Sequence, residues 1–221
     1  MNLEGYLEST LLRADTRSEE IEKLCAEAMQ YNLRGICVNP CYIAPASSML
    51  RGSGVLPVTV VGFPLGADTG MVKARAAEQA VLNGALEIDM VINIGALKDG
   101  RKQEIIDEIA LLKKAGAALK VIIETGFLLS KDIALACHCA VEGGADFVKT
   151  STGFGPRGAS INDIILLRSI LPARMQIKAA GGIKSAEFAR QLIRAGASRI
   201  GTSSASAIMQ EAAAEEKEKE P

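Results

Sequence analysis

The sequence predicts an α/β protein built as a (β/α)8 barrel of the TIM type. Three observations carry this reading. Short apolar runs recur along the 221 residues, and they are nearly continuous in apolar character rather than alternating. That is how strands buried on both faces of a parallel sheet read. Helical stretches lie between the runs, so strand and helix repeat in units of roughly 27–30 residues. The first strand is not followed by a Gly-x-Gly-x-x-Gly turn, which counts against the main rival, an open doubly wound sheet.

Strands are expected near 35–38, 58–62, 87–92, 119–124, 146–149, 176–179 and 199–201, with a short eighth at 6–10. The first helix is expected to open on a capping box, Thr16-Arg17-Ser18-Glu19, whose side chains would satisfy free backbone N–H groups. After it, Ile21, Leu24, Cys25, Ala28 and Met29 follow the spacing of one buried face. Ile105, Ile109 and Leu112 mark a second helix, and Phe188, Leu192 and Ala195 a later one. Gly116, Gly143-Gly144 and Gly196 sit just beyond helical runs, where a left-handed cap is expected. A single domain over 1–211 is expected, followed by a charged, fraying and disordered tail over 212–221.

Aromatic residues make up only 4% of the chain and Trp is absent, so aliphatic and small residues must fill the core. The net charge of −1 leaves no global basic field to draw nucleic acid or an anionic membrane, and neither is an expected partner. The start of the chain shows no secretory pattern and no apolar run is long enough to span a bilayer, so a cytoplasmic protein is expected. The five cysteines form no expected disulfide framework. Cys137-His138-Cys139 contains the only His, sits in a helical run and lacks zinc-knuckle spacing. It reads as buried thiols beside a surface His; no metal and no cofactor are expected.

In such a barrel function sits where strands end. Lys149 closes the apolar run Phe147-Val148-Lys149. Burial there favours a free amine, the form a Schiff-base nucleophile needs; the alternative is a lysine whose head escapes to water. Lys178 occupies the equivalent place on the next strand, so both amines would point into one mouth and each would disfavour the other's charge. Asp89 adds a carboxylate to an apolar strand. It reads either as an acid/base group or as half of a buried ion pair. The turns Gly181-Gly182-Ile183-Lys184 and Gly201-Thr202-Ser203-Ser204 follow the last two strands, where backbone N–H groups can hold a phosphate.

Several stretches resemble the deoxyribose-phosphate aldolase family. They are Glu87-Ile88-Asp89-Met90-Val91-Ile92-Asn93-Ile94-Gly95-Ala96-Leu97, Val121-Ile122-Ile123-Glu124-Thr125-Gly126, Phe147-Val148-Lys149-Thr150-Ser151-Thr152-Gly153-Phe154-Gly155, Lys178-Ala179-Ala180-Gly181-Gly182-Ile183 and Ala197-Ser198-Arg199-Ile200-Gly201-Thr202-Ser203-Ser204. The resemblance implies a metal-free class I aldolase. It implies Lys149 as the Schiff-base lysine, Lys178 as the second lysine and Asp89 as the acid/base carboxylate. Gly153, Gly182, Lys184, Ser203 and Ser204 match the phosphate-binding region. The implied ligand is a small phosphosugar and the implied assembly a homodimer or homotetramer. The chain departs from the family in having Glu8-Ser9-Thr10-Leu11-Leu12-Arg13-Ala14 where an Asp-His-Thr-Leu-Leu-Lys-Pro-like stretch is common. Ala180 and Ala205 replace a Ser and a Gly, and the chain lacks the terminal Tyr of some members. The rival readings are another phosphosugar barrel enzyme and a non-catalytic sugar-phosphate-binding module.

Overall fold

The computed structural model describes residues 2–217. Eight parallel strands close into a barrel in chain order, with β1 hydrogen-bonded to β8. The strands are β1 (Leu7–Leu11), β2 (Gly35–Val38), β3 (Leu56–Val61), β4 (Glu87–Val91), β5 (Ala118–Ile122), β6 (Phe147–Lys149), β7 (Gln176–Ala180) and β8 (Arg199–Thr202). The helices are α1 (Ser18–Gln30), α2 (Ile43–Met49), α3 (Gly70–Leu82), α4 (Ile94–Lys98), α5 (Lys102–Lys113), α6 (Ser130–Glu142), α7 (Ile161–Ile170), α8 (Ala186–Arg194) and α9 (Ala205–Lys217). Closure rules out the open-sheet alternative. Every run expected to be a strand is one. The largest trims fall at the end of β5, where Glu124 turns into the left-handed region (φ 53°) and leaves the ladder.

Side chains alternate across each strand. One set faces the helices and joins a continuous apolar core that includes Leu7, Ile36, Ile88, Leu119, Val148, Ile177 and Ile200. The other set faces the barrel axis, and there the chain places Glu8, Asp89, Lys120, Lys149 and Lys178. The outer layer follows the sequence pattern closely. Ile21, Leu24, Cys25 and Ala28 are buried on α1, and Ile105, Ile109 and Leu112 on α5. Met29 is an exception at 37% exposure, because it lies at the edge of the buried stripe.

Three local expectations need correction. The capping box is shifted by one residue: Glu20 accepts from the Arg17 backbone N–H at 2.9 Å, while Thr16 spends its hydroxyl on the Arg13 carbonyl at 2.8 Å. Gly116, Gly144 and Gly196 have positive φ as expected, but Gly143 is right-handed at φ −72°. The boundary at 211 is not where the last helix ends. α9 runs through Lys217, with Ala212 buried and Glu215 paired to Arg190. The part of the expected tail over 218–221 lies outside the described residues. No helix among the described residues is long and apolar enough to cross a membrane.

A buried ion pair outside the barrel axis holds α3 to α5. Lys73 Nζ lies 2.6 Å from Glu108 and donates to the carbonyls of Gly66 and Val91, each at 2.8 Å. Lys73 is fully buried. Its removal would leave Glu108 and two carbonyls without their donor. Lys73→Met is therefore expected to lower stability by about 3–5 kcal/mol, read as a shift in the urea unfolding midpoint. A change below about 1 kcal/mol would show that the clasp is not limiting.

Candidate active site

The barrel register brings the expected lysines together. Lys149 is opposite Lys178 across β6 and β7, and Asp89 is opposite Lys120 across β4 and β5. Asp89 Oδ2 is 2.7 Å from both Lys149 Nζ and Lys178 Nζ, and Asp89 Oδ1 is 3.0 Å from Lys120 Nζ. One carboxylate thus meets the amines of three lysines. Glu8 also pairs with Lys178 and lies 3.7 Å from Lys120, which in turn sits 2.6 Å from Glu87. Arg199 closes the cluster toward the far end, 3.6 Å from Glu8, with Phe147 packed under it and under Lys120. Three carboxylates therefore face three lysines, so the buried charges nearly cancel. That balance offsets the cost of taking them out of water.

The electrostatics follow from this packing. Burial opposes ionisation of Asp89, but Lys120, Lys149 and Lys178 outweigh it and hold its carboxyl well below the ordinary range. Glu8 is held down in the same way, burial being overcome by Lys120 and Lys178. Burial works against charge on Lys178, yet Asp89 and Glu8 raise its ammonium above the usual range, so it stays a cation. Lys120 is raised by Asp89 and Glu8 likewise against burial. Cys37 Sγ comes within 4.0 Å of Asp89, and burial, with Asp89 adding to it, pushes that thiol to about 11. It is not a thiolate nucleophile at neutral pH.

These shifts have a measurable sign. A carboxyl held down in the fold gives stability that is whole above its unfolded value and drains away as pH falls through the folded one. Unfolded Asp and Glu titrate near 4, so unfolding free energy is expected to fall with pH below about 5. Urea titrations from pH 7 to pH 3 should show a shallower slope in Glu8→Gln than in the parent chain. Equal slopes would mean that Glu8 is not held down.

The cluster reaches the C-terminal mouth of the barrel through Lys149. Lys149 lines a cavity of about 490 Å³ at the C-terminal mouth of the barrel. Gly153, Gly181, Gly182, Lys184, Gly201 and Ser203 line the same cavity. Asp89 and Lys178 do not reach it; both are fully buried behind Lys149. Ser204 is also outside the lining, its backbone N–H donating to Thr202 Oγ1 at 2.9 Å. Gly153 and Gly182 have φ of +90° and +74°, with open space where a Cβ would stand, so their bare backbone faces the cavity. The loops are tied to one another. Thr202 Oγ1 donates to the Ile183 carbonyl at 2.6 Å, and Ala159 N–H donates to the Ala180 carbonyl at 3.1 Å. Such a cradle suits an oxyanion, with Lys184 exposed beside it.

Sequence reasoning missed Lys120 and Glu87 and did not rank Glu8 among the site residues. Lys120 carried the same signal as Lys149, a charge in an apolar strand. Cys137 and Cys139 are buried and His138 is exposed, as expected. No group of metal-ligating side chains occurs among the described residues.

A family model described as DeoC/LacD family aldolase matches residues 8–211. A deoxyribose-phosphate aldolase of Bdellovibrio bacteriovorus is 48% identical over 212 residues, spanning 95% of this chain and 96% of that protein. Among solved structures, one described as "QR15, an Aldolase" superposes with a TM-score of 0.95 at 36% identity over the whole of both chains. A tetrameric deoxyribose phosphate aldolase from Aeropyrum pernix gives 0.87 at 34% identity, covering 94% of this chain and 89% of that one. The match spans the barrel from the second residue of β1 onward and every residue of the buried cluster, and the chain belongs to the DeoC/LacD aldolase family.

Proposed function

We propose that this aldolase reversibly cleaves 2-deoxy-D-ribose 5-phosphate to D-glyceraldehyde 3-phosphate and acetaldehyde through a Schiff base on Lys149. The observation that carries the reading is the position of Lys149. It is the one lysine of the buried cluster that lines the cavity, and the glycine loops line the same cavity. The substrate named for the relatives has an aldehyde at one end and a phosphate at the other, and the cavity offers an amine and an oxyanion cradle.

The chemistry runs as follows. Neutral Lys149 attacks the C1 aldehyde, and loss of water gives an iminium that draws electrons. A relay of Asp89, Lys178 and water takes the proton from the C3 hydroxyl. The C2–C3 bond breaks, its electrons entering the iminium to leave an enamine, and glyceraldehyde 3-phosphate departs. Protonation at C2 and addition of water then release acetaldehyde and restore the amine. Lys178, held as a cation by Asp89 and Glu8, is the proton reservoir. Because it does not line the cavity, its proton must travel through Asp89 or water. Gly153, Gly181, Gly182, Lys184, Gly201 and Ser203 bind the phosphate, with Ser204 supporting the loop. The phosphate supplies binding energy remote from the reacting bond.

The site needs no metal or cofactor in this scheme. The catalytic domain is taken to include α9, and the compartment to be the cytoplasm. The Aeropyrum tetramer supports a homo-oligomer for this chain, to be read by light scattering after gel filtration. The test of function is to incubate the protein with 2-deoxyribose 5-phosphate, reduce with borohydride and map the peptides by mass spectrometry. A two-carbon adduct on Lys149 is the expected result. Absence of an adduct on any lysine, from folded protein, would overturn the Schiff-base reading.

A further inference from the structure

We infer that Glu124 is a positioning residue, holding the turn at Thr152-Gly153-Phe154 in the shape that receives the substrate phosphate. The inference rests on the phosphate-binding role proposed above for Gly153. Glu124 lies just beyond β5 and is 2% exposed. Its backbone is left-handed, at φ 53° and ψ 67°, a region that residues with a Cβ rarely occupy. Such a conformation persists only where the surroundings over-determine it, and it directs attention to function. Here the surroundings are the active-site loop itself.

The carboxylate accepts the Thr152 backbone N–H at 3.0 Å and also the Thr152 hydroxyl. That hydroxyl, its proton committed to Glu124, accepts the Phe154 N–H at 3.0 Å. Glu124 thereby holds the Ser151–Thr152 peptide directly and the Gly153–Phe154 peptide through the Thr152 hydroxyl, which brackets the turn at Gly153. Gly155 completes the fit: a Cβ there would stand 2.7 Å from the Glu124 carboxyl carbon. The backbone behind it is pinned as well. Thr125 N–H donates to the Thr150 carbonyl at 2.9 Å and Ile123 N–H to the Lys149 carbonyl at 3.1 Å. Thr152, Gly153 and Phe154 line the cavity, whereas Glu124 does not. It acts on the ligand through the turn.

A carboxylate suits this task better than an amide. Both donors come from Thr152 and meet the same oxygen, Oε2, so the contact rests on one charged acceptor. A glutamine would keep an acceptor there but lose the charge that strengthens both bonds. One oxygen of Glu124, Oε1, has no hydrogen-bond partner among the described residues although it is buried.

The test compares Glu124→Gln, Thr152→Val and the double variant on two sugars, 2-deoxyribose 5-phosphate and 2-deoxyribose. For Glu124→Gln, KM for the phosphorylated sugar is expected to rise about tenfold, with a much smaller change in kcat. The preference for the phosphorylated over the plain sugar in kcat/KM should fall by about the same factor. The double variant should be no worse than the poorer single one, because both act through one hydrogen-bonded unit. Broadening of the phosphorus resonance of inorganic phosphate, measured alongside, requires no turnover. It should diminish in Glu124→Gln relative to the parent chain. Equal losses on both sugars, or unchanged phosphate broadening in a variant with native circular dichroism, would overturn the inference. If the parent chain binds phosphate but does not cleave the phosphorylated sugar, the proposed function falls and the phosphate measurement still decides the role of Glu124. If Glu124→Gln fails to fold, Thr152→Val carries the same comparison.

Discussion

Lys149→Met is expected to lower kcat for cleavage by on the order of 10⁴–10⁶-fold, since the nucleophile's loss removes the covalent route altogether. Methionine keeps most of the side chain's volume, and Asp89 retains Lys120 and Lys178 as partners. The fold is therefore expected to survive, with a circular dichroism spectrum like that of the parent chain. Binding should survive too, because the phosphate end of the ligand does not depend on the amine. Titration calorimetry with 2-deoxyribose 5-phosphate should give a Kd within about tenfold of the parent chain's KM. Retention of more than a percent or so of kcat would place the nucleophile elsewhere, at a cost to the whole scheme.

Asp89→Asn is expected to damage stability and catalysis together. Asp89 lies within hydrogen-bonding reach of three lysine amines, and the amide leaves the buried Lys120 and Lys178 cations without their shared counter-charge. Breaking a buried pair in this way costs about 3–5 kcal/mol. The proton relay loses its link between Lys178 and Lys149, and a loss on the order of 10²–10⁴-fold in kcat is expected. A second substitution separates the two effects. Adding Lys120→Met to Asp89→Asn removes one of the stranded cations, so the urea midpoint should recover part of the loss. Activity should not recover, because the relay is still broken. Recovery of both would make Asp89 a charge-balancing residue and no more.

The fold was legible because every strand of a closed parallel barrel is buried on both faces and so reads as an apolar run. Even the short β1 could be placed, since Leu7 and its neighbours precede a clear helix. Lys149, Lys178 and Asp89 stood out for the opposite reason, a charge inside such a run. Lys120 is also a charge in such a run, level with Asp89 in the middle of β5, and passed unnoticed. Its meaning depends on register, and only pairing of Asp89 with Lys120 shows that it shares the carboxylate. Glu8 depends on something still less local, a partner on β7. Fine detail at helix ends was lost for a different reason. Thr16 has the composition of a cap, but its hydroxyl finds a nearer acceptor in Arg13. At the other end, alternating Glu and Lys look solvated, yet Arg190 captures Glu215 and α9 extends through Lys217.

The seam between β1 and β8 has a consequence for biosynthesis. Glu8 leaves the ribosome well ahead of its partner Lys178, which is 170 positions behind it. Until β8 arrives to seal β1 into the wall, Lys120 and Lys178 lack one of their carboxylates and remain hydrated. A barrel not yet sealed thus has an incomplete set of charges at its centre. Closing β8 onto β1 completes the cluster behind the Lys149 amine, so one seam joins the last step of folding to the setting of its chemistry.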